Sequence, residues 1–420
     1  MEIKQQSLPY ENEREMVHTK WNYYMLLAVV FGGFLVFGLS ENVKGPAITI
    51  MQSDFQLSQS QLGILLALNS LGYLLACTFT SALSNRIGVK WTTILAFACM
   101  ALSGFFIYLS ASYGSLSAAY FFLYVSNGIL EIGLGIMAAQ IFTRNTGMMM
   151  NLSHFFYGLS STVAPSIAAS VMGWQVRGGE LGWRGMYLLV LLLSIIPILP
   201  ALAGRVPKES ADAGDSTSYR SLLRDPVAWL IVAVLSFGVV SEIAVGSWLV
   251  NFLVKAYGWS IGDASHMLSL FFLFFMLARL FLGPVTDRIG FTVSIMIFSA
   301  FSGICSMAAI LIGEAGAILF AVAGVGIALI YPTVMALLAK RYPKGTGTAI
   351  TFTVTLMGVA SVIGNLLIGF IIDFVNGLFG KGGEVIGLQA GYGFIAFLAI
   401  LCSLCCFILY TLLRRRGELV

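Results

Sequence analysis

The chain has 420 residues, of which 58% are hydrophobic and only 10% charged, against about 25% charged in soluble domains. Water does not tolerate that much exposed apolar surface, because the cost grows with area, whereas a bilayer does. A formal net charge of +4 gives no electrostatic case for nucleic acid or a strongly acidic partner.

Residues 1–20 are polar and lack the short apolar core and small-residue cleavage site of a signal peptide, so they read as a cytoplasmic N-terminal segment. A spanning helix needs about twenty apolar residues, since the hydrocarbon core is about 30 Å thick and each residue rises 1.5 Å. Twelve runs qualify. They are Tyr23–Ile50, Leu62–Leu83, Thr92–Ser112, Leu116–Gln140, Met148–Met172 and Gly185–Gly204, then Val227–Leu253, Ala264–Val285, Thr292–Ile312, Ala315–Ala339, Thr348–Phe374 and Tyr392–Leu413. The first is long enough to include part of a loop. The polar stretch 205–226 separates two sets of six, predicting bundles over 21–204 and 227–413, with a tail at 414–420.

Lys and Arg concentrate in short cytoplasmic loops. With the N-terminus inside, most of the 23 basic residues fall on inner segments, among them Arg86, Lys90, Arg144, Arg205, Arg288, Lys340, Arg341 and Arg414 to Arg416. Outer segments hold only Lys44, Arg177, Arg184, Lys255 and Lys381. Both termini are therefore expected on the cytoplasmic side, and the short loops with no targeting peptide suggest a plasma (inner) membrane. Cys77, Cys99, Cys305, Cys402, Cys405 and Cys406 all lie in apolar runs without metal-ligand spacing and read as packing residues.

The halves repeat. Asn85-Arg86-Ile87-Gly88 follows the second run and Asp287-Arg288-Ile289-Gly290 the eighth, at an offset of 202. Phe37-Gly38 through Glu41 in the first run matches Phe237-Gly238 through Glu242 in the seventh. Duplicated bundles of this kind rock about a site near the midplane.

Gly283-Pro-Val-Thr-Asp287-Arg288-Ile-Gly290 resembles the signature of the major facilitator superfamily, and Ser81 to Lys90 is a weaker first copy. The resemblance covers the whole chain and implies an all-α membrane protein of twelve helices in two pseudo-symmetric bundles. Gly128-Ile-Leu-Glu131 followed by Asn151-Leu-Ser-His154-Phe is similar to the fucose–galactose–hexuronate:proton symporters and the related sodium–glucose carriers. That likeness implies cation coupling at Glu131 and sugar contacts at Asn151 and His154. Where the proton symporters tend to carry an Asp in span one, this chain has Asn42 beside Glu41, which keeps H⁺ and Na⁺ both open.

A charge at mid-span costs about 2.5–3.5 kcal/mol on insertion scales, so such residues face a wet cavity or a partner. Three carboxylates lie deep: Glu41, Glu131 and Glu242. Asn127 shares a helix face with Glu131, and Asn151 shares one with His154. Counted from the turn near Arg144, Glu131 and His154 differ in depth by only about 5 Å. Adjacent antiparallel helices would join all four in one polar cluster suited to proton relay, since His titrates near neutrality. Na⁺ coordination, or a plain helix-to-helix hydrogen bond, uses the same residues. Glu41, next to Lys44, pairs with it at the outer interface or joins the coupling group with Glu242. Asn42, Asn69, Asn127, Asn151 and Asn365 are candidate solute-binding amides, and Trp248 and Tyr331 candidate stacking surfaces for a sugar ring. Arg86, Arg279, Asp287 and Arg288 read as gating charges that hold the cytoplasmic side shut by pairing.

The expected activity is cation-coupled uptake of a sugar or similar small polar metabolite by a monomeric secondary carrier, with no cofactor and with no enzymatic site. The alternative is proton-coupled efflux of drugs or metabolites, since Gly158 followed by Ala164-Pro165 partly resembles the glycine–proline motif of antiport exporters.

Overall fold

The computed structural model describes residues 20–142, 146–176, 178–206, 219–343, 345–380 and 382–418. Most of the expected N-terminal segment, the middle of the 205–226 linker and the side chains at 146–148, 151 and 287 lie outside the described residues. Within them twelve helices are long and apolar enough to cross a membrane: Lys20–Asp54, Gln59–Ile87, Val89–Tyr108, Tyr113–Ile141, Leu152–Met172, Gly182–Ala203, Pro226–Tyr257, Ile261–Thr286, Phe291–Ile312, Ile318–Arg341, Thr346–Phe379 and Gly383–Arg415. They are called spans one to twelve below. Large apolar side chains point outward from them, with Leu311 79% and Leu109 72% exposed, a surface only lipid would cover.

Span one corrects an expectation. Its excess length is helix rather than loop: Lys20–Asn42 runs on as Lys44–Asp54 after a break at Val43. Pro46 has no N–H to give the Asn42 carbonyl four residues back, which breaks the ladder there without ending the helix. Lys44 therefore sits inside the span, 5% exposed, and not in an outer loop. Pro332 acts likewise in span ten, which is divided between Ile327 and Ile330. Span twelve begins nine residues before the expected Tyr392, at Gly383. Gly383, Gly387 and Gly391 let that extra length lie against backbone and side chains of Ile372 and Asn376 in span eleven. A two-residue hairpin, Gln175–Val176 with Gly179–Glu180, joins spans five and six.

Packing repeats with an offset of six spans. Span two lies on four as eight lies on ten, three on six as nine on twelve, and one on five as seven on eleven. The loops after spans two and eight match in detail: Gly88 and Gly290 have φ of 86° and 92° with extended ψ, a region open only to glycine. Each then accepts at its carbonyl the first hydrogen bond of the next helix, from Thr92 and Ser294.

The bundles meet through spans one and seven, two and eleven, and five and eight. Their bonds concentrate in the half distal to the chain ends. Asp373 of span eleven accepts from the backbone N–H groups of Gln59 (3.2 Å) and Ser60 (2.7 Å), capping span two across the seam. Gly63 and Gly369 bring those two helices into backbone contact. Gln52 accepts from Asn251 and from Lys255, both at 2.8 Å. Ser166 meets His266 Nδ1 at 3.0 Å and Ser269 at 2.8 Å.

Candidate functional site

Charged and phenolic groups converge on the seam between the bundles. Glu131 of span four takes a 2.5 Å hydrogen bond from the Tyr73 hydroxyl of span two, and both lie within electrostatic reach of Tyr331 of span ten. Arg279 of span eight is within the same reach of Glu242, Tyr331 and, across the seam, His154. Cys77, one helical turn after Tyr73, joins the group. Seven charged or titratable side chains from two bundles thus gather along the seam, where a change in one charge alters how the bundles attract each other.

A second network lies on the distal side of Glu131. Lys44 Nζ pairs with Glu41 Oε2 at 3.2 Å and stands 5.2 Å from the centre of the Tyr124 ring. Asn127 donates to Glu41 Oε1 at 3.0 Å and accepts from Ser40 at 3.2 Å. The side chains of Lys44 and Glu41 are 6% and 18% exposed, so the pair is buried in the bundle and not seated at the outer interface. The continuation of span one beyond its break at Val43 accounts for that correction, because it places residues 41–44 well inside the span.

Of the single cluster expected of Asn127, Glu131, Asn151 and His154, the three described side chains do not come together. Asn127 and Glu131 turn to different helices, one and two, and His154 lies tilted against Phe34 with ring centres 5.1 Å apart. Span one packs against both four and five and keeps them apart, so the short connection near Arg144 does not make neighbours of the helices it joins. The Asn151 side chain lies outside the described residues.

Among the candidate solute-binding groups, Tyr331 is at the seam. Asn42 donates to Gly38 O and Ser161 Oγ, both at 2.9 Å, and thereby fastens the break in span one to span five. The Asn365 amide donates to Ser361 O and to Ser70 across the seam. Asn69 is buried beside the Tyr124 hydroxyl with no well-formed hydrogen bond. Trp248 does not face the seam: it is 2% exposed and packs inside the C-terminal bundle with Phe252, Ile368 and Tyr392. Its helix is turned so that Glu242, six residues earlier, faces the centre while the indole faces spans eleven and twelve.

The gating set divides. Arg86 and Arg288 are exposed in the last turns of the helices Gln59–Ile87 and Ile261–Ile289, and the Asp287 side chain lies outside the described residues. Arg279 lies well inside its helix and forms no ion pair among the described residues, while its expected partner Asp287 has its side chain outside them. Sequence reasoning missed Tyr73, Gln52 and Asp373. Tyr73 carries no charge and Gln52 and Asp373 sit near span ends, so the search for charges at mid-span passed over all three.

The sequence matches the Major Facilitator Superfamily over residues 30–315 and again over 241–419, and the chain belongs to that family of membrane transporters. It is 24% identical over 286 residues to the Saccharomyces cerevisiae Bypass of stop codon protein 6, covering 61% of this chain and 56% of that one. It is also 24% identical over 236 residues to the Bacillus subtilis Nitrite extrusion protein, covering 55% and 56%. The chain spans about half the length of the curated relatives it matches. In fold it is similar to a bacterial homolog of the human lysosomal transporter Spinster in an inward-facing, unoccupied conformation, at a TM-score of 0.77, 14% identity and 94% and 98% coverage. It is similar as well to a variant of the E. coli fucose:proton symporter FucP, at 0.63, 15%, 92% and 99%.

Proposed function

We propose that the chain is a gradient-driven carrier that moves a small polar solute through the seam by alternating access, with Glu131 as the coupling carboxylate. The observation that carries this reading is the placement of Glu131: a carboxylate at mid-span, held by one phenolic hydroxyl and facing the opposite bundle. Protonating it, or binding Na⁺ to it, changes the charge at the surface along which the bundles rock. The distal bonds of Asp373, Gln52 and His266 close one end, while His154, near Arg279, is exposed. With both termini cytoplasmic in a plasma membrane, as the basic loops predict, this is the inward-facing state of a carrier that works as a monomer.

A sugar is one candidate class, from the resemblance in spans four and five. The Nitrite extrusion protein among the relatives adds small anions, and supports efflux as the second reading. The test is flux in proteoliposomes under an imposed proton or sodium gradient, with labelled monosaccharides, nitrate, nitrite and a lipophilic cation as probes. Accumulation of one polar probe, driven by one of the two gradients, is the expected outcome. Expulsion of the lipophilic cation with no polar probe moved would replace this reading with drug efflux.

A further inference from the structure

Arg279 is held in a way that its surroundings do not use up. Pro332 in span ten cannot donate to the carbonyl of Ala328, four residues earlier, so that carbonyl lies free beneath the break in the helix. Arg279 Nε donates to it at 2.9 Å. The guanidinium carbon Cζ lies 4.2 Å from the centre of the Phe275 ring, one turn back on span eight. The fork is thus fixed to backbone through Nε and set against an aromatic ring. The terminal nitrogens, Nη1 and Nη2, have no hydrogen-bond partner among the described residues, and Glu242 stays beyond ion-pair distance. Arg279 is half-buried, and its orientation is set in advance while its two terminal nitrogens stay open to a ligand.

We propose that Arg279 is a substrate-binding residue, and that the solute carries a planar oxyanion, a carboxylate or a nitrate-type group, received bidentately by its two terminal nitrogens. Two parallel N–H···O bonds match that geometry, which a neutral sugar hydroxyl does not offer and a lysine ammonium does not reproduce. His154, within electrostatic reach of Arg279, and Pro332 are both exposed. Pro332 is then a positioning residue: it frees the carbonyl that fixes the fork. This rests on the carrier reading for its meaning, but binding is measured apart from flux.

The experiment is thermal stabilisation of the purified full chain in detergent by sodium nitrate, sodium acetate and D-glucose, with sodium chloride at equal ionic strength as the reference. Nitrate or acetate is expected to raise the melting temperature beyond chloride, and whichever does so identifies the inorganic or the organic source. Arg279→Gln abolishes the rise. Arg279→Lys keeps the charge but weakens apparent affinity about tenfold to hundredfold, through loss of one charged hydrogen bond. Pro332→Ala restores a donor to Ala328, leaves Arg279 in place and weakens the anion too, with the unliganded melting temperature unchanged or raised. No stabilisation by either anion, or stabilisation equal in wild type and Arg279→Gln, overturns the proposal. Anion binding without flux in proteoliposomes would keep Arg279 as the site and remove the carrier reading instead. Flux of a neutral sugar with no anion binding does the opposite.

Discussion

Removing the Asp373 carboxylate unlocks the distal end. Its two oxygens satisfy the first two orphan N–H groups of span two, at 3.2 and 2.7 Å, while Ser58 caps the third from within its own bundle. Loss of a cap costs about 1 kcal/mol, within about 0.5–2, and a carboxylate at a helix N-terminus adds about 0.3–1 kcal/mol. These bonds bridge the bundles and are lost when the distal end opens, so their loss falls on the closed state alone. About 1–2 kcal/mol shifts the closed-to-open ratio by about 5- to 30-fold. Spin labels at Ala111 and Glu384, exposed distal positions on opposite bundles, report the change in a cysteine-free background. Asp373→Ala is expected to add a longer-distance population, and Asp373→Asn, which keeps an acceptor without the charge, a smaller one. Distances identical to the parent protein in both variants would refute the latch.

Lys44→Met strands Glu41 in a buried site and is expected to destabilise the fold by about 3–5 kcal/mol, whereas Lys44→Met with Glu41→Gln recovers most of it; a double-mutant cycle on thermal unfolding measures the difference. Gly88→Ala forces a side chain into φ 86° and is expected to cost about 1–3 kcal/mol, read from the melting temperature, with Gly290→Ala at φ 92° matching it. Asp225, at the start of span seven, feels burial that would raise its pKa. The Tyr342 hydroxyl at 2.7 Å, the Val227 N–H and Arg341 outweigh burial and hold the carboxyl below its ordinary 3.8. A group depressed on folding stabilises above its unfolded value and loses that contribution as pH falls through the folded one. Asp225→Ala is therefore expected to lower stability by about 1 kcal/mol at neutral pH, with the gap to the parent protein closing below about pH 3.8. Burial, followed by the bond to Asp225, pushes the partner Tyr342 phenol up to about 12, so it contributes no titration in that range.

Helix number, the duplicated halves and the family were legible because each rests on a long, redundant signal: twenty apolar residues per span, and a glycine-ended loop repeated at an offset of 202. The depth of Lys44 was not, since hydropathy falls at Glu41-Asn42-Val43-Lys44 as it would at a loop, while the helix continues by satisfying those groups internally. The relay of Glu131 with His154 failed for a related reason. Loop length between spans four and five says nothing of span one lying between them. Arg279 was visible as a charge inside a span, but its role depends on Pro332, a residue 53 positions later whose effect is to withhold one hydrogen bond. Tyr73 became evident only when a carboxylate was found at its hydroxyl.

Glu131→Gln keeps the size of the side chain and can still accept from Tyr73, but carries no titratable charge. Reconstituted beside the parent protein, it tests the account most directly when gradient-driven accumulation and exchange between equal pools are measured on the same solute. The account predicts that accumulation is lost while exchange persists, because the path remains and only the coupling is gone. Accumulation undiminished in Glu131→Gln would contradict it and leave the Tyr73–Glu131 bond as a tie between spans two and four.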